Sequence, residues 1–255
     1  MEPRFEGKAA LVTGAATGIG QATAVRLAAE GAAVAVNHRP GTDPAQTLDQ
    51  IEAAGGQAFA MPADMRDPEQ VAAMVAEAAG RLGRLDYVVS NAAVNPLMTW
   101  DQTTIDDFNE LFETNVRGTW VVCTEGAKQM IREGHGGAIV CVSSISAHVG
   151  APYQTAYCGT KGAISMLVKA LGCDLGGHGI RVNAVEPGWV KTPMAEPLLA
   201  QPDALSYYTE RVALHRGGEP RELAATIAFL LTDDASYVTS ATLLVDGGFI
   251  VNAEL

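Results

Sequence analysis

Tyr157 and Lys161 are the residues of this chain whose types and spacing point most directly to chemistry. They stand four apart in Tyr157-Cys158-Gly159-Thr160-Lys161, inside a stretch with helical apolar spacing, so both side chains fall on one helix face within reach of each other. A phenol with a pKa of about 10 is a poor base at neutral pH. A neighbouring ammonium favours the phenolate and lowers that value, bringing the tyrosine into the range of acid–base catalysis. Taken alone, such a pair is more often the polar face of an amphipathic helix. A second motif, far upstream, gives it a chemical context.

That motif is Thr13-Gly14-Ala15-Ala16-Thr17-Gly18-Ile19-Gly20, which follows a β-branched run and opens a helical pattern. Strand, glycine-rich turn and helix, in that order, are the context of a dinucleotide-binding turn. Gly14, Gly18 and Gly20 permit a tight turn and close approach of backbone to a pyrophosphate, and Thr17 and Ile19 lie at the helix start, whose free N–H groups attract phosphate. The second strand ends in Asn37-His38-Arg39, without the carboxylate that an NAD-committed enzyme places on the ribose. Arg39 suits a 2′-phosphate, so NADP(H) is favoured. Thr17, where a second basic residue would help, leaves NAD(H) possible.

The elements that must position these residues alternate regularly. Strand-like runs fall at 9–13, 33–37, 57–60, 86–90, 138–143, 181–185 and 242–245. Helical patterns fall at 19–30, 44–54, 68–82, 105–132, 154–172 and 220–231. Asp67 followed by Pro68 marks a helix start, and Gly31 a helix end. Such alternation predicts an α/β fold: one Rossmann-type, doubly wound domain over 1–255, with a seven-stranded parallel sheet and helices on both faces. The stretch 189–216, with Pro193, Pro197 and Pro202, has no strand partner in view and reads as a substrate lid.

Composition narrows the function classes. A formal charge of -12, from 17 basic and 29 acidic residues with no basic stripe, argues against nucleic acid as a partner. No run of apolar residues is long enough for a membrane span, and the opening MEPRFEGKAALVTG lacks the regions of a signal peptide, so a cytoplasmic protein with a small-molecule substrate is expected. Cys123, Cys141, Cys158 and Cys173 show no spacing suited to a metal, and none is expected.

Taken together, TGAATGIG, Asn91-Ala92-Ala93, Asn115 in NVRG, Ser143-Ser144, YCGTK and PGWVKTP, in that order, resemble the short-chain dehydrogenase/reductase family. The resemblance runs from Lys8 to the run Leu244-Val245-Asp246-Gly247-Gly248; Ala93 stands where the family usually has glycine. It implies that Tyr157 exchanges a proton with the substrate oxygen. Ser144, thirteen residues before it, would hydrogen-bond that oxygen. Lys161 would lower the Tyr157 pKa and bind the nicotinamide ribose, and Asn115 would hold a water that relays protons from Lys161. For the cofactor it implies Asp64 and Met65 at the adenine end, Asn91 and Ala92 along the cleft, and Pro187, Gly188, Val190 and Thr192 around the nicotinamide. It also implies a homotetramer, paired through 105–132 and 154–172 and around the last strand.

Within the family the likeness leans to glucose 1-dehydrogenase-like and 3-oxoacyl-reductase-like members. Ser144, Ser146, His148, Gln154, Glu186, Trp189 and Met194 are the candidate pocket residues. Glu186 would either accept hydrogen bonds from sugar hydroxyls or face water at the rim, and Trp189 would stack on substrate or pack the lid. Polar groups tilt the reading towards an aldose 1-dehydrogenase. An NADPH-dependent ketone or 3-oxoacyl reductase is the alternative, and a non-catalytic NADP-binding sensor a remote one.

Overall fold

Seven strands, Ala9–Val12 (β1), Ala33–His38 (β2), Gln57–Pro62 (β3), Tyr87–Ser90 (β4), Gly137–Val142 (β5), Ile180–Pro187 (β6) and Thr242–Val245 (β7), pair in parallel in the order β3-β2-β1-β4-β5-β6-β7 in the computed structural model, which describes residues 3–200 and 203–252. A parallel sheet covered on both faces needs apolar side chains on both, and the strands supply them alternately. Leu11, Val88, Ile139 and Cys141 point into one core layer, while Ala10, Val12, Val89 and Val140 point into the other.

The first layer is closed by Pro68–Leu82 (α3), Gly118–Glu133 (α5) and Thr155–Leu175 (α6). The second is closed by Gly18–Ala29 (α1), Ala45–Ala53 (α2) and Pro220–Leu231 (α9). The helix limits have local causes. Asp67 accepts from the backbone of Glu69 and Gln70 at 3.0 and 3.1 Å, with Pro68 at the first helical position, and left-handed Gly83 ends α3. The doubly wound reading of the sequence thus holds.

One helix departs from expectation. The segment read as a single helix over 105–132 is Ile105–Phe112 (α4), a π-helical turn at Glu113–Arg117, and then α5. The apolar spacing runs on through the turn, so its extra residue leaves no mark in the sequence. Gly118 lets the following helix press on the loop after β3: a Cβ there would lie 2.7 Å from the Met65 carbonyl oxygen.

The stretch 189–216 contains two short helices, Glu196–Leu199 (α7) and Ala204–Arg211 (α8); its Gln201 and Pro202 lie outside the described residues. Among the described residues no helix is long and apolar enough to cross a membrane. The strand order reverses between β1 and β4, and a cleft of about 370 Å³ is lined by the loops that follow β1, β2, β3, β4, β5 and β6. This is the place where doubly wound sheets bind ligands.

Candidate active site

The glycine turn is braced on both sides. Gly14 has φ +61, and a Cβ there would lie 2.8 Å from the Ala92 Cα, so only glycine fits. Asn37 Oδ1 accepts from the Gly14 N–H at 3.1 Å, and its Nδ2 donates to the Met61 carbonyl at 3.0 Å. Asn91 Nδ2 donates to the carbonyls of Thr13 and Gly14 at 2.9 and 3.1 Å. Asn37 and Asn91 both line the cleft, as a cofactor role requires, yet their amides serve chiefly to hold the turn. Gly20 does not line the cleft; it lets α1 pack against Gly14 and Asn91. Helix α1 opens at Gly18 with no side-chain cap and no acid in its first turn, and Thr17, Gly18 and Ile19 line the cleft. An uncapped helix start of this kind suits a phosphate.

At the adenosine end His38, Arg39, Asp64, Met65 and Arg66 line the cleft. Arg66 Nη2 lies 2.7 Å from Asp64 Oδ2, its backbone N–H donates to Oδ1 at 2.9 Å, and Arg39 Nε stands 3.9 Å away. The Arg66 hydrogen bond holds the Asp64 carboxyl below its ordinary range. Asp64, read as an acceptor for adenine, is therefore already engaged. Arg66 was missed by the sequence reading, although an acid and an arginine two residues apart in a loop were the available signal.

Ser144, Tyr157 and Lys161 meet in the cleft wall, all buried. Ser144 caps the short turn Ile145–Ala147 by accepting from the Ser146 N–H at 3.1 Å. Lys161 Nζ donates to the Val142 carbonyl at 2.9 Å and lies 5.4 Å from the centre of the Tyr157 ring. Burial pushes the Tyr157 phenol up, with the Ser144 hydrogen bond pulling the other way, and burial pulls the Lys161 ammonium down to about 8. Lys161 is not among the groups that shift the Tyr157 phenol in the protein alone, where burial dominates and favours the neutral form of both side chains.

Asn115, in the π-helical turn, is fully buried and does not line the cleft. Its Oδ1 accepts from the Val94 N–H at 2.8 Å, and its Nδ2 donates to the Val94 carbonyl at 3.0 Å and to Thr160 Oγ1 at 3.2 Å. The amide is thus a clamp on the loop after β4, and the expected water-holding role does not belong to this side chain. Glu186 is likewise corrected. It is fully buried away from the cleft, accepting from Ser165 Oγ at 2.7 Å and facing His148 Nε2 at 2.7 Å, so it reaches neither substrate nor rim. Ser165 contacts Ser143 Oγ at 2.8 Å, and Ser143 Oγ donates to the Lys161 carbonyl at 3.0 Å. His148 also stays out of the cleft, whereas Ser146, Gln154, Trp189 and Met194 line it. Pro187, Gly188, Val190 and Thr192, which the family resemblance implies for the nicotinamide, line the same cleft as Lys161 and Tyr157.

A family model described as enoyl-(acyl carrier protein) reductase matches residues 14–250. The L-rhamnose 1-dehydrogenase (NAD(P)(+)) of Sphingomonas sp. (strain SKA58) is 44% identical over 251 residues, covering 98% of this chain and 99% of the relative. The chain belongs to the short-chain dehydrogenase/reductase family. The glucose 1-dehydrogenase of Gluconobacter oxydans (strain 621H) is 35% identical over 96% of this chain and 92% of its own. A short-chain type dehydrogenase/reductase crystal structure from Mycobacterium marinum superposes with a TM-score of 0.92 at 34% identity, covering 97% of each chain.

As a short-chain dehydrogenase/reductase, the protein is an oxidoreductase, and its cleft is arranged for that work. An uncapped helix start, a braced glycine turn and two guanidinium groups run from one end to a serine, a phenol and an ammonium at the other. The residues present fit a nicotinamide dinucleotide: the turn is too tight for any Cβ at Gly14, and the basic groups lie at the end where a ribose phosphate would sit.

Proposed function

We propose that the protein is an aldose 1-dehydrogenase that uses NADP(H), with NAD(H) also accepted, to oxidise the C1 hydroxyl of a cyclic sugar such as L-rhamnose to the lactone. The observation that carries this reading is end-to-end similarity at 44% identity to a protein named L-rhamnose 1-dehydrogenase (NAD(P)(+)). The cleft supports it with Ser144, Ser146 and Gln154 grouped near Tyr157. Bound along the glycine turn, the nicotinamide supplies a hydride acceptor and a positive charge near the phenol. Ser144 Oγ hydrogen-bonds the reacting C1 oxygen and orients it. The neutral Tyr157 phenol passes its own proton to the unprotonated amine of Lys161 and, as phenolate, takes the C1 hydroxyl proton while the C1 hydride leaves. Lys161 Nζ then returns its extra proton to solvent.

Arg39 and Arg66, with no acid at the end of β2, favour the 2′-phosphate, while the exposure of Arg39 is compatible with either dinucleotide. The stretch 189–216, whose Trp189, Met194 and Tyr208 line the cleft, is assigned as the substrate lid. Exposed Trp120 on α5, Met166 on α6 and Leu243 and Leu244 on β7 support a homotetramer paired through those elements. Four free cysteines fit a cytoplasmic setting.

The test is turnover of L-rhamnose, D-glucose, secondary alcohols and a β-ketoester, each with NADP and NAD, followed by nicotinamide absorbance. Aldose oxidation with either cofactor supports the reading. Turnover restricted to the β-ketoester with NADPH would move the assignment to the ketone or 3-oxoacyl reductase alternative, which apolar Leu97 and Met194 in the cleft favour.

A further inference from the structure

Among the described residues, two buried side-chain polar atoms have no hydrogen-bond partner: Asn95 Oδ1 and Trp189 Nε1. Both residues line the cleft that holds Ser144 and Tyr157. One atom accepts and the other donates. Folded proteins rarely leave a buried polar atom without a partner uncompensated.

The backbone of each residue is held beside the cleft. Asn95 follows Val94, whose N–H and carbonyl are both clamped by the Asn115 amide at 2.8 and 3.0 Å, and precedes Pro96, which fixes its own backbone. Trp189 is held at its backbone, where its carbonyl accepts from the Gly218 N–H at 2.9 Å. Its ring lies so close to Gly217 that a Cβ there would stand 3.0 Å from it, and the Tyr208 ring faces it with centroids 6.2 Å apart. The backbones of both residues are therefore held in advance of any ligand, while the two polar atoms are covered in the empty cleft and become reachable as a ligand turns the side chains.

We infer that Asn95 and Trp189 are specificity-determining residues that read hydroxyl groups of the substrate other than the one that reacts, with Asn95 Oδ1 accepting from one hydroxyl and the Trp189 indole N–H donating to a hydroxyl or ring oxygen. A hydroxyl both donates and accepts, so a polyhydroxylated substrate satisfies the two atoms together. A simple ketone or alcohol has only its reacting oxygen, which Ser144 and Tyr157 already take. A site built this way discriminates strongly against analogues that lack the hydroxyl, because its own polar atoms are then left unpaired. The inference rests on the sugar reading proposed above and adds the residues that enforce it. Asn95 carries no sign of this in the sequence; its position beside the clamped Val94 reveals it.

The experiment uses the full-length enzyme with Asn95→Leu, which keeps size and removes polarity, Asn95→Asp, which keeps an acceptor, and Trp189→Phe, which keeps a ring and removes the N–H. Steady-state constants are measured with L-rhamnose, and NADPH dissociation constants from its fluorescence on binding. NADPH binding and Tm serve as the folding control, with Asn95→Ser replacing any variant that does not fold. Asn95→Leu and Trp189→Phe are expected to lower kcat/KM for the sugar roughly tenfold to a hundredfold, mostly through KM, with NADPH affinity within about twofold of the parent. Asn95→Asp should recover part of the Asn95→Leu loss. Unchanged sugar kcat/KM, or a loss of NADPH affinity equal to the loss for sugar, would overturn the inference. If the parent enzyme oxidises no aldose, it is the proposed function that fails. Aldose turnover with indifferent variants sinks only the role of this pair.

Discussion

His148 Nε2 lies 2.7 Å from Glu186 Oε2, and the other oxygen of that carboxylate takes the Ser165 hydroxyl at 2.7 Å. The contact ties together three parts of the active site. His148 ends the turn that begins at Ser144, Glu186 precedes Pro187 and Gly188 in the cleft wall, and Ser165 sits one turn beyond Lys161 on α6. Glu186→Ala would leave Ser165 and His148 without their acceptor inside the protein and is expected to cost about 2–4 kcal/mol of stability. Glu186→Gln, which keeps an acceptor, should cost less. Thermal unfolding checks this, and equal Tm values for parent and Glu186→Ala would show that the network contributes nothing.

The electrostatics of Lys161 set two pH dependences. Its pKa is about 8 in the folded protein and near 10.5 in the unfolded chain, so between those values the unfolded state binds the extra proton and folding gains stability as pH rises. Below about pH 8 the penalty is present in full. Lys161→Met should therefore be inactive yet more stable than the parent at pH 7, by on the order of 1–3 kcal/mol, with the gain shrinking towards pH 10. Urea unfolding at the two pH values measures it; a variant less stable at pH 7 would contradict the burial argument. Tyr157 works in the opposite sense, because its raised pKa makes folding lose stability above pH 10, once the unfolded phenol ionises.

The same lysine predicts the rate profile. If neutral Lys161 must take the Tyr157 phenol proton before that oxygen can accept from substrate, sugar oxidation should rise with pH through about 8 and then level off. Tyr157→Phe should abolish turnover while NADPH still binds. A flat profile between pH 6 and 9 would remove Lys161 from the relay.

Arg39 and Arg66 differ in what they do to Asp64, and their variants should differ as well. Arg39→Ala removes one cation and should weaken NADP more than NAD. Arg66→Ala also releases the Asp64 carboxylate into the cleft wall, where it repels a 2′-phosphate and accepts from ribose hydroxyls. The NADP-to-NAD ratio of kcat/KM is therefore expected to fall about tenfold or more in Arg66→Ala, and further than in Arg39→Ala. Equal ratios in parent and Arg66→Ala would mean that this end of the cleft does not read the phosphate.

Light scattering at micromolar concentration should give four times the 26.6 kDa chain mass. A charge placed at Leu244, as in Leu244→Arg, should lower that mass, because β7 presents this exposed apolar side chain at the sheet edge. A monomer mass for the parent would overturn the homotetramer.

The parts of this molecule that follow from local pattern were legible in the sequence. All seven strands, the glycine turn and the Asp67 cap depend on residues a few positions apart, and the structure places each within a residue or two of the expected limits. The convergence of Ser144, Tyr157 and Lys161 followed from the motif order. What escaped depends on folding distant segments together. Glu186 meets His148 across 38 positions and Ser165 across 21, so from sequence its chemistry reads either as an acceptor for sugar hydroxyls or as a rim carboxylate. The direction of the Tyr157 shift depends on burial, which spacing along a helix does not reveal. Arg66 stood next to Met65 in plain view, but only the loop's curvature sets its guanidinium against Asp64.

The π-helical turn at Glu113–Arg117 holds one residue more than an α-helical turn would. Each residue of an α-helix advances its side chain by about 100° around the axis, and the wider turn absorbs that advance, so α4 and α5 keep their faces. Deleting one residue there would close the bulge into plain α-helix while Thr119, which receives the Ser90 hydroxyl at 3.0 Å, and Val122 and Cys123, which face the sheet, stay in place. The turn is therefore a joint that tolerates a change of one residue in length, and the hold of Asn115 on Val94 is what such a change would put at stake.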